Sequence, residues 1–122
     1  MRISGAESLV MEALWGRSPL AAEDIVAEVA NPQGWTEATV KSLLNRLLKK
    51  GAVAAEKDGR RFLYQPLVSR PDYVQAESQG LLDRLFDGRL APMVSHFSKR
   101  QALSEQDIAE LRALVEDLDN ER

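Results

Sequence analysis

Between Trp35-Thr36 and Gly51 the chain sets Val40, Leu43, Leu44, Leu47 and Leu48 at positions i, i+3, i+4, i+7 and i+8. That spacing makes one apolar stripe on an α-helix and would scatter over both faces of a strand, so residues 36–50 are expected to form a helix backed by a core. Turning by about 100° per residue, the opposite face carries Ala38, Ser42, Asn45 and Lys49, flanked by Thr39, Lys41 and Arg46. It is small, hydrogen-bonding and cationic. Thr36 is placed to cap the helix, with Trp35 at N′ and Val40 at N4 as a hydrophobic staple. Gly51 supplies a left-handed stop, and Lys49 and Lys50 in the last turn suit the macrodipole.

The flanking segments say what this helix belongs to. Ser4 followed by Glu7 is a capping-box pattern, and Leu9, Val10, Ala13 and Leu14 then recur at helical spacing, with Gly16 expected as a left-handed stop ahead of Pro19. Ile25, Val26 and Val29 mark a second helix over 21–30, ended by Asn31-Pro32 and Gly34. Downstream, residues 53–57 and 60–65 read as two short strands around an Asp58-Gly59 turn, with Pro66 closing the second. Three helices followed by a hairpin with Arg60 and Arg61 at its tip describe a winged helix-turn-helix. The expected fold class is mostly α with a small β-hairpin.

Charge is divided to match. The 122-residue chain carries a net charge of −3, an unpromising value for a nucleic-acid binder until it is resolved by position. Residues 36–61 hold Lys41, Arg46, Lys49, Lys50, Lys57, Arg60 and Arg61 against Glu37, Glu56 and Asp58, whereas acidic residues outnumber basic ones on both sides. Such asymmetry points to a local anionic partner on an otherwise acidic protein.

An α-helix fits the major groove of B-DNA, where polar side chains reach base edges while cations touch phosphates. Base readout is accordingly assigned to Ser42 and Asn45, with Ala38 and Arg46 as further candidates. Asn can pair bidentately with adenine, Arg with guanine, and an Ala methyl can meet the thymine methyl. Phosphate contact is assigned to Thr36, Thr39, Lys41 and Lys49, and contact with the backbone or an adjacent minor groove to Arg60 and Arg61.

Beyond Ser69-Arg70-Pro71 the pattern changes. Tyr73, Val74, Leu81, Leu82, Leu85 and Phe86 form a long stripe stopped by Asp87-Gly88; Leu90, Met93, Val94 and Phe97 are expected to be buried on one side of a second helix. Ser104 and Asp107 open a third, with Ile108, Leu111, Leu114, Val115 and Leu118 along one face. Three amphipathic helices in about 50 residues make little core alone. Residues 1–68 are therefore read as the winged-helix domain and 69–122 as a helical homodimerisation domain, with Leu81, Leu82, Leu85, Phe86, Met93, Val94, Phe97, Ile108, Leu111, Leu114, Val115 and Leu118 at the dimer contact. Dimerisation doubles the DNA contacts and implies a two-fold symmetric operator.

Three motifs carry a family resemblance: Val10-Met11-x-x-Leu14-Trp15, then Trp35-Thr36-x-x-Thr39-Val40-x-Ser42-Leu43-Leu44-x-Arg46-Leu47-x-Lys49-Lys50-Gly51, then Tyr64-x-Pro66. Together they resemble the BlaI/MecI/CopY family of penicillinase and related repressors, with Leu85-Phe86-Asp87-Gly88 and Leu103-Ser104-Glu105-x-Asp107-Ile108-x-x-Leu111 similar to its dimer helices. The resemblance implies a homodimeric repressor on a palindromic promoter element. In antibiotic-responsive members a membrane-bound sensor protease triggers cleavage within the dimerisation region. The corresponding bond here joins His96 and Phe97, with His96 standing where cleaved members usually have Asn. The copper-responsive branch carries a cysteine pattern absent from this chain, so copper sensing through it is excluded.

Other function classes find little support. No cysteine and one histidine leave no thiolate or histidine cluster for a metal, and no cofactor is expected. There is no phosphate-binding glycine loop, HExxH or nucleophile elbow, so the chain is not expected to be an enzyme. No apolar run approaches the roughly 18 residues that span a bilayer, and a cytoplasmic protein without membrane insertion is expected. The rival reading is a winged helix serving only as a protein-interaction module, which would have no need of Lys41, Arg46, Arg60 and Arg61 on one side.

Overall fold

The structure is a computed structural model that describes residues 2–100 and 103–121. Its elements run α1 (Gly5–Gly16), β1 (Leu20–Ala21), α2 (Ala22–Gln33), α3 (Glu37–Lys50), β2 (Val53–Asp58), β3 (Arg61–Pro66), α4 (Arg70–Phe86), α5 (Leu90–Arg100) and α6 (Glu105–Asn120). They form two compact units that divide between Gln75 and Ala76, inside α4. The first turn of α4 belongs to the N-terminal unit because Tyr73 packs against its core with its ring tilted against that of Trp15, centroids 5.3 Å apart, while Arg70 Nε lies 2.9 Å from Glu12 Oε1.

In the N-terminal unit three helices share one core. Val10, Met11 and Leu14 of α1, Ile25 of α2, and Val40, Leu43, Leu44 and Leu47 of α3 are buried together with Leu20, Ala52 and Val53. The capping box of α1 is complete: Ser4 Oγ accepts from the Glu7 N–H and Glu7 Oε1 accepts from the Ser4 N–H. Gly16 is helical, however, and α1 ends in the extended Arg17, so the expected left-handed stop is absent. α2 likewise continues through Asn31-Pro32 and ends at the left-handed Gly34. Proline lacks its own N–H bond and crowds the preceding turn, but Pro32 lies one residue from the end of α2, so only the last turn bears the cost.

The sheet is antiparallel in the order β1-β3-β2, with Leu20 opposite Tyr64 and Ala21 opposite Leu63 on one side of β3, and Val53 opposite Pro66 through Asp58 opposite Arg61 on the other. Two consecutive residues carry too little pattern to be read as a strand, which is why β1 escapes the sequence. The hairpin turn is Gly59-Arg60, one residue later than expected; only Gly59 has a positive φ, 64°, as a turn led by glycine requires.

The second unit is built from the rest of α4 with α5 and α6. Asp87 and Gly88, with φ of 53° and 74°, stop α4, and Ser104 Oγ caps α6 by accepting from the Asp107 N–H at 3.0 Å. None of the described residues in α4, α5 or α6 is buried. The expected burial of Leu90 and Phe97 on α5 is therefore not found within one chain; both are exposed, and Met93 and Val94 are half-buried. Among the described residues no helix is long and apolar enough to cross a membrane.

Candidate nucleic-acid interface

The second and third helices position the surface. Thr36 caps α3 through its Oγ1, which accepts from the Thr39 N–H at 3.2 Å, and Gly51 closes it at φ 77° with its N–H on the Leu47 and Leu48 carbonyls. Four residues of the apolar stripe are buried, with Leu48 half-buried at its edge. That fixes the rotation of the helix about its axis, because any other rotation would bring the cationic face into the core.

The opposite face is open. Ala38, Lys41, Ser42, Asn45, Arg46 and Lys49 are all exposed, as is Thr36, and Thr39 is half-buried. Ala38, Thr39, Ser42 and Arg46 line a shallow notch of about 330 Å³ over Leu43. Side chains this short let another surface approach the backbone of α3, with the longer Arg46 at the edge. Thr36 Oγ1 and Thr39 Oγ1 lie 3.1 Å apart, so these hydroxyls are already engaged with each other and with the helix start.

The cations differ in how they are held. Lys41 Nζ is 2.9 Å from Glu37 Oε1, one turn earlier on α3, and this contact pushes the Lys41 ammonium above its ordinary value. Arg61, the first residue of β3, lies 3.5 Å from Glu23 Oε1 and 3.6 Å from Asp58 Oδ2. Arg46, Lys49 and Arg60 make no ion pair among the described residues and are exposed. Lys50 turns away to Glu7 of α1 and to the Arg2 carbonyl at 2.8 Å, so the last turn of α3 offers one free ammonium rather than two.

Phe62 is the residue that sequence reasoning passed over. It sits on β3 beside Arg61 with half its surface open, lining the same cleft as Lys41. The available signal was strand alternation, which places 62 and 64 on one side of β3, but a phenylalanine in a short strand reads first as core.

A helix with a buried apolar back and an open polar, cationic front, followed by a β-hairpin with an arginine in its turn, is the arrangement that winged-helix proteins present to a duplex. The residue pattern of the penicillinase repressor family matches residues 3–117. The chain belongs to the penicillinase repressor family. It is accordingly a DNA-binding transcriptional repressor and not an enzyme. The penicillinase repressor of Bacillus licheniformis is 34% identical over 121 residues, covering 99% of this chain and 94% of that protein. The methicillin resistance regulatory protein MecI of Staphylococcus aureus (strain N315) is 31% identical over 113 residues, covering 93% of this chain and 92% of that one. Among solved structures, the monomeric form of Bacillus licheniformis BlaI in complex with the blaP half-operator superposes with a TM-score of 0.54 at 36% identity, over 60% of this chain and 89% of that one.

Proposed function

We propose that this repressor occupies a two-fold symmetric operator as a homodimer, with α3 in the major groove and the β2–β3 hairpin against the flanking backbone. The observation that carries the reading is the division of α3 into a buried stripe and an exposed face holding Ala38, Lys41, Ser42, Asn45, Arg46 and Lys49. Ser42, Asn45, Ala38 and Arg46 read base edges. Thr36, Thr39, Lys41 and Lys49 hold the backbone, with Arg60 and Arg61 extending the contact from the hairpin. The solved complex of BlaI with a half-operator supports one half-site per protomer.

The dimer is supported by the apolar surface that α4, α5 and α6 leave open. Leu85, Leu90, Leu114, Val115 and Leu118 each expose more than half of their surface, and Phe97 and Ile108 more than two-fifths. An exposure of that extent on a soluble chain marks an interface, and a second copy supplies the matching apolar face. Leu81, Leu82, Phe86, Met93, Val94 and Leu111 complete the contact. The helical dimerisation domain, 69–122, then serves the winged helix of 1–68 by coupling two half-sites about one or two helical turns apart.

Repression ends when the dimer is lost. His96 and Phe97 lie on α5, where Phe97 shares a small cleft with Met93, Val94, Leu111 and Leu114. Scission of that bond by a sensor protease would remove Phe97 from the dimer contact and leave two weakly bound halves in the cytoplasm. The test of the whole reading is selection of bound sequences from random DNA. A two-fold symmetric motif with affinity that falls roughly 10³–10⁵-fold between about 50 and 200 mM salt supports it; an asymmetric motif, or retention indifferent to salt, overturns it.

A further inference from the structure

One cleft of the N-terminal unit gathers charge of both signs beside the exposed face of α3. It holds about 250 Å³ and lies between Glu23 in the first turn of α2, Glu37 and Lys41 of α3, and Arg61, Phe62 and Tyr64 of β3. Two cations border it: Lys41 is held by Glu37, and Arg61 by Glu23 together with Asp58 of the same hairpin. Glu37 Oε1 is 2.9 Å from Lys41 Nζ, and Glu23 Oε1 is 3.5 Å from Arg61 Nη1. The pairing of Ala21 with Leu63 is what brings the start of α2 to Arg61.

Neither carboxylate makes a capping hydrogen bond. Thr36 caps α3, and Asp24 rather than Glu23 accepts from the N–H that opens α2, at 3.2 Å. Both side chains are well exposed, at 63% for Glu37 and 73% for Glu23. Each pairs instead with one of the two cations that border the cleft.

We propose that Glu23 and Glu37 are affinity-limiting residues: they hold Arg61 and Lys41 as internal counterions, so a DNA phosphate must displace a carboxylate to reach either cation. The proposal rests on reading Lys41 and Arg61 as phosphate contacts. A phosphate arriving at a free cation replaces water, whereas one arriving here replaces another anion and leaves that anion beside the DNA. Exposed ion pairs are worth only about 0–1 kcal/mol, so the clamps yield to DNA without blocking it. They lower affinity for every sequence alike and flatten its salt dependence, because a cation already neutralised contributes less to counterion release.

The test uses the full chain and a mixed-sequence duplex of about 24 base pairs, with binding followed by fluorescence anisotropy over about 50–200 mM salt. Glu23→Gln and Glu37→Gln are each expected to tighten binding by about 2–5-fold. Each should steepen the salt slope by about one per protomer. Arg61→Ala is expected to cancel the gain from Glu23→Gln, and Lys41→Ala the gain from Glu37→Gln. Glu56→Gln changes net charge equally but removes an exposed carboxylate outside the cleft, and is expected to do less. An equal gain from Glu56→Gln, or gains that survive in the alanine backgrounds, would overturn the clamp in favour of overall charge. Lys41→Ala and Arg61→Ala in the otherwise wild-type chain separate the clamp from the phosphate contact. Weaker binding for these alanine variants with no gain from either glutamine overturns the clamp alone, and no loss for either alanine overturns the phosphate-contact reading beneath it.

Discussion

Lys50, in the last turn of α3, donates a hydrogen bond to the buried carboxylate of Glu7 in the first turn of α1. The same carboxylate oxygen accepts from the Ser4 N–H at 2.9 Å, and Lys50 also donates to the Arg2 carbonyl at 2.8 Å. One carboxylate thus caps α1 and ties it to the last turn of α3. Glu7 is 1% exposed and its other oxygen, Oε2, has no partner among the described residues. Burial pushes the carboxyl up, but the bonds from Lys50 and Ser4 outweigh it and hold the group below its ordinary value.

That balance gives an asymmetric pair of substitutions. In Glu7→Gln the orphaned Lys50, with a third of its side chain exposed, can turn to water, and the expected cost is about 1–3 kcal/mol at neutral pH. In Lys50→Met the carboxylate stays buried without its cation, and the expected cost is about 3 kcal/mol or more. Both differences should depend on pH. Because the folded carboxyl sits below its unfolded value, its contribution is complete above the ordinary carboxylate range and is lost as pH falls through the lowered folded value. Urea denaturation across the acid range should show the deficit of Glu7→Gln shrinking toward low pH. For Lys50→Met burial is opposed by the Ser4 bonds alone, so the carboxyl rises from its wild-type position and that variant should gain on the wild type as acid is added. A pH-independent difference for both would contradict the pairing.

Trp15 fixes the first turn of α4 to the N-terminal unit by two means. Its Nε1–H donates to the Val68 carbonyl at 2.8 Å, and its ring packs at a tilt against Tyr73. Trp15→Phe keeps an aromatic ring against Tyr73 and removes the donor, for an expected loss of about 1–2 kcal/mol. Trp15→Ala removes both and should lose about 3–5 kcal/mol. Equal midpoints for wild type and Trp15→Phe in urea would mean that the Val68 carbonyl is satisfied by solvent instead.

The parts of this molecule that were legible in the sequence are those where periodicity and capping agree. Val40 to Leu48 with Thr36 and Gly51 determined α3 and which of its faces is open, because an apolar stripe and two end signals leave one rotation about the axis. Strand β1 was illegible because two residues have no period, yet its pairing is what carries Glu23 to Arg61. The two carboxylates were also hidden. Glu37 stands one turn from Lys41 and reads as ordinary helix support, while Glu23 and Arg61 are brought together only by the sheet. The turn shifted by one residue because Asp58-Gly59 and Gly59-Arg60 both place a glycine where positive φ is needed, and only the register of β2 against β3 chooses between them. Gly16 misled because glycine permits a left-handed stop without compelling one.

The open face of α3 predicts a division between sequence-dependent and sequence-independent losses. Asn45→Ala and Arg46→Ala should weaken binding to the selected operator by about 1–3 kcal/mol while changing affinity for random DNA less. Lys49→Ala should weaken both alike and lower the salt slope by about one per protomer. Competition between operator and random duplexes measures the ratio. Equal losses for Asn45→Ala on both DNAs would remove base readout from that position.

The last turns of α6 distinguish packing within a chain from packing between chains. Leu111 is half-buried and lines the cleft with Met93, Val94 and Phe97, so an aspartate there would damage the unit itself as well as any dimer. Leu118 is 60% exposed in one chain, so Leu118→Glu costs the folded protomer little. In a dimer the same glutamate is taken from water into an apolar contact without a partner, at a cost of several kcal/mol by the usual order for buried charge. Sedimentation equilibrium should therefore show Leu118→Glu as a monomer with unchanged helical circular dichroism, and operator affinity should fall because each half-site is then bound by a single module. A variant that still sediments as a dimer would place the contact elsewhere on α4 and α5.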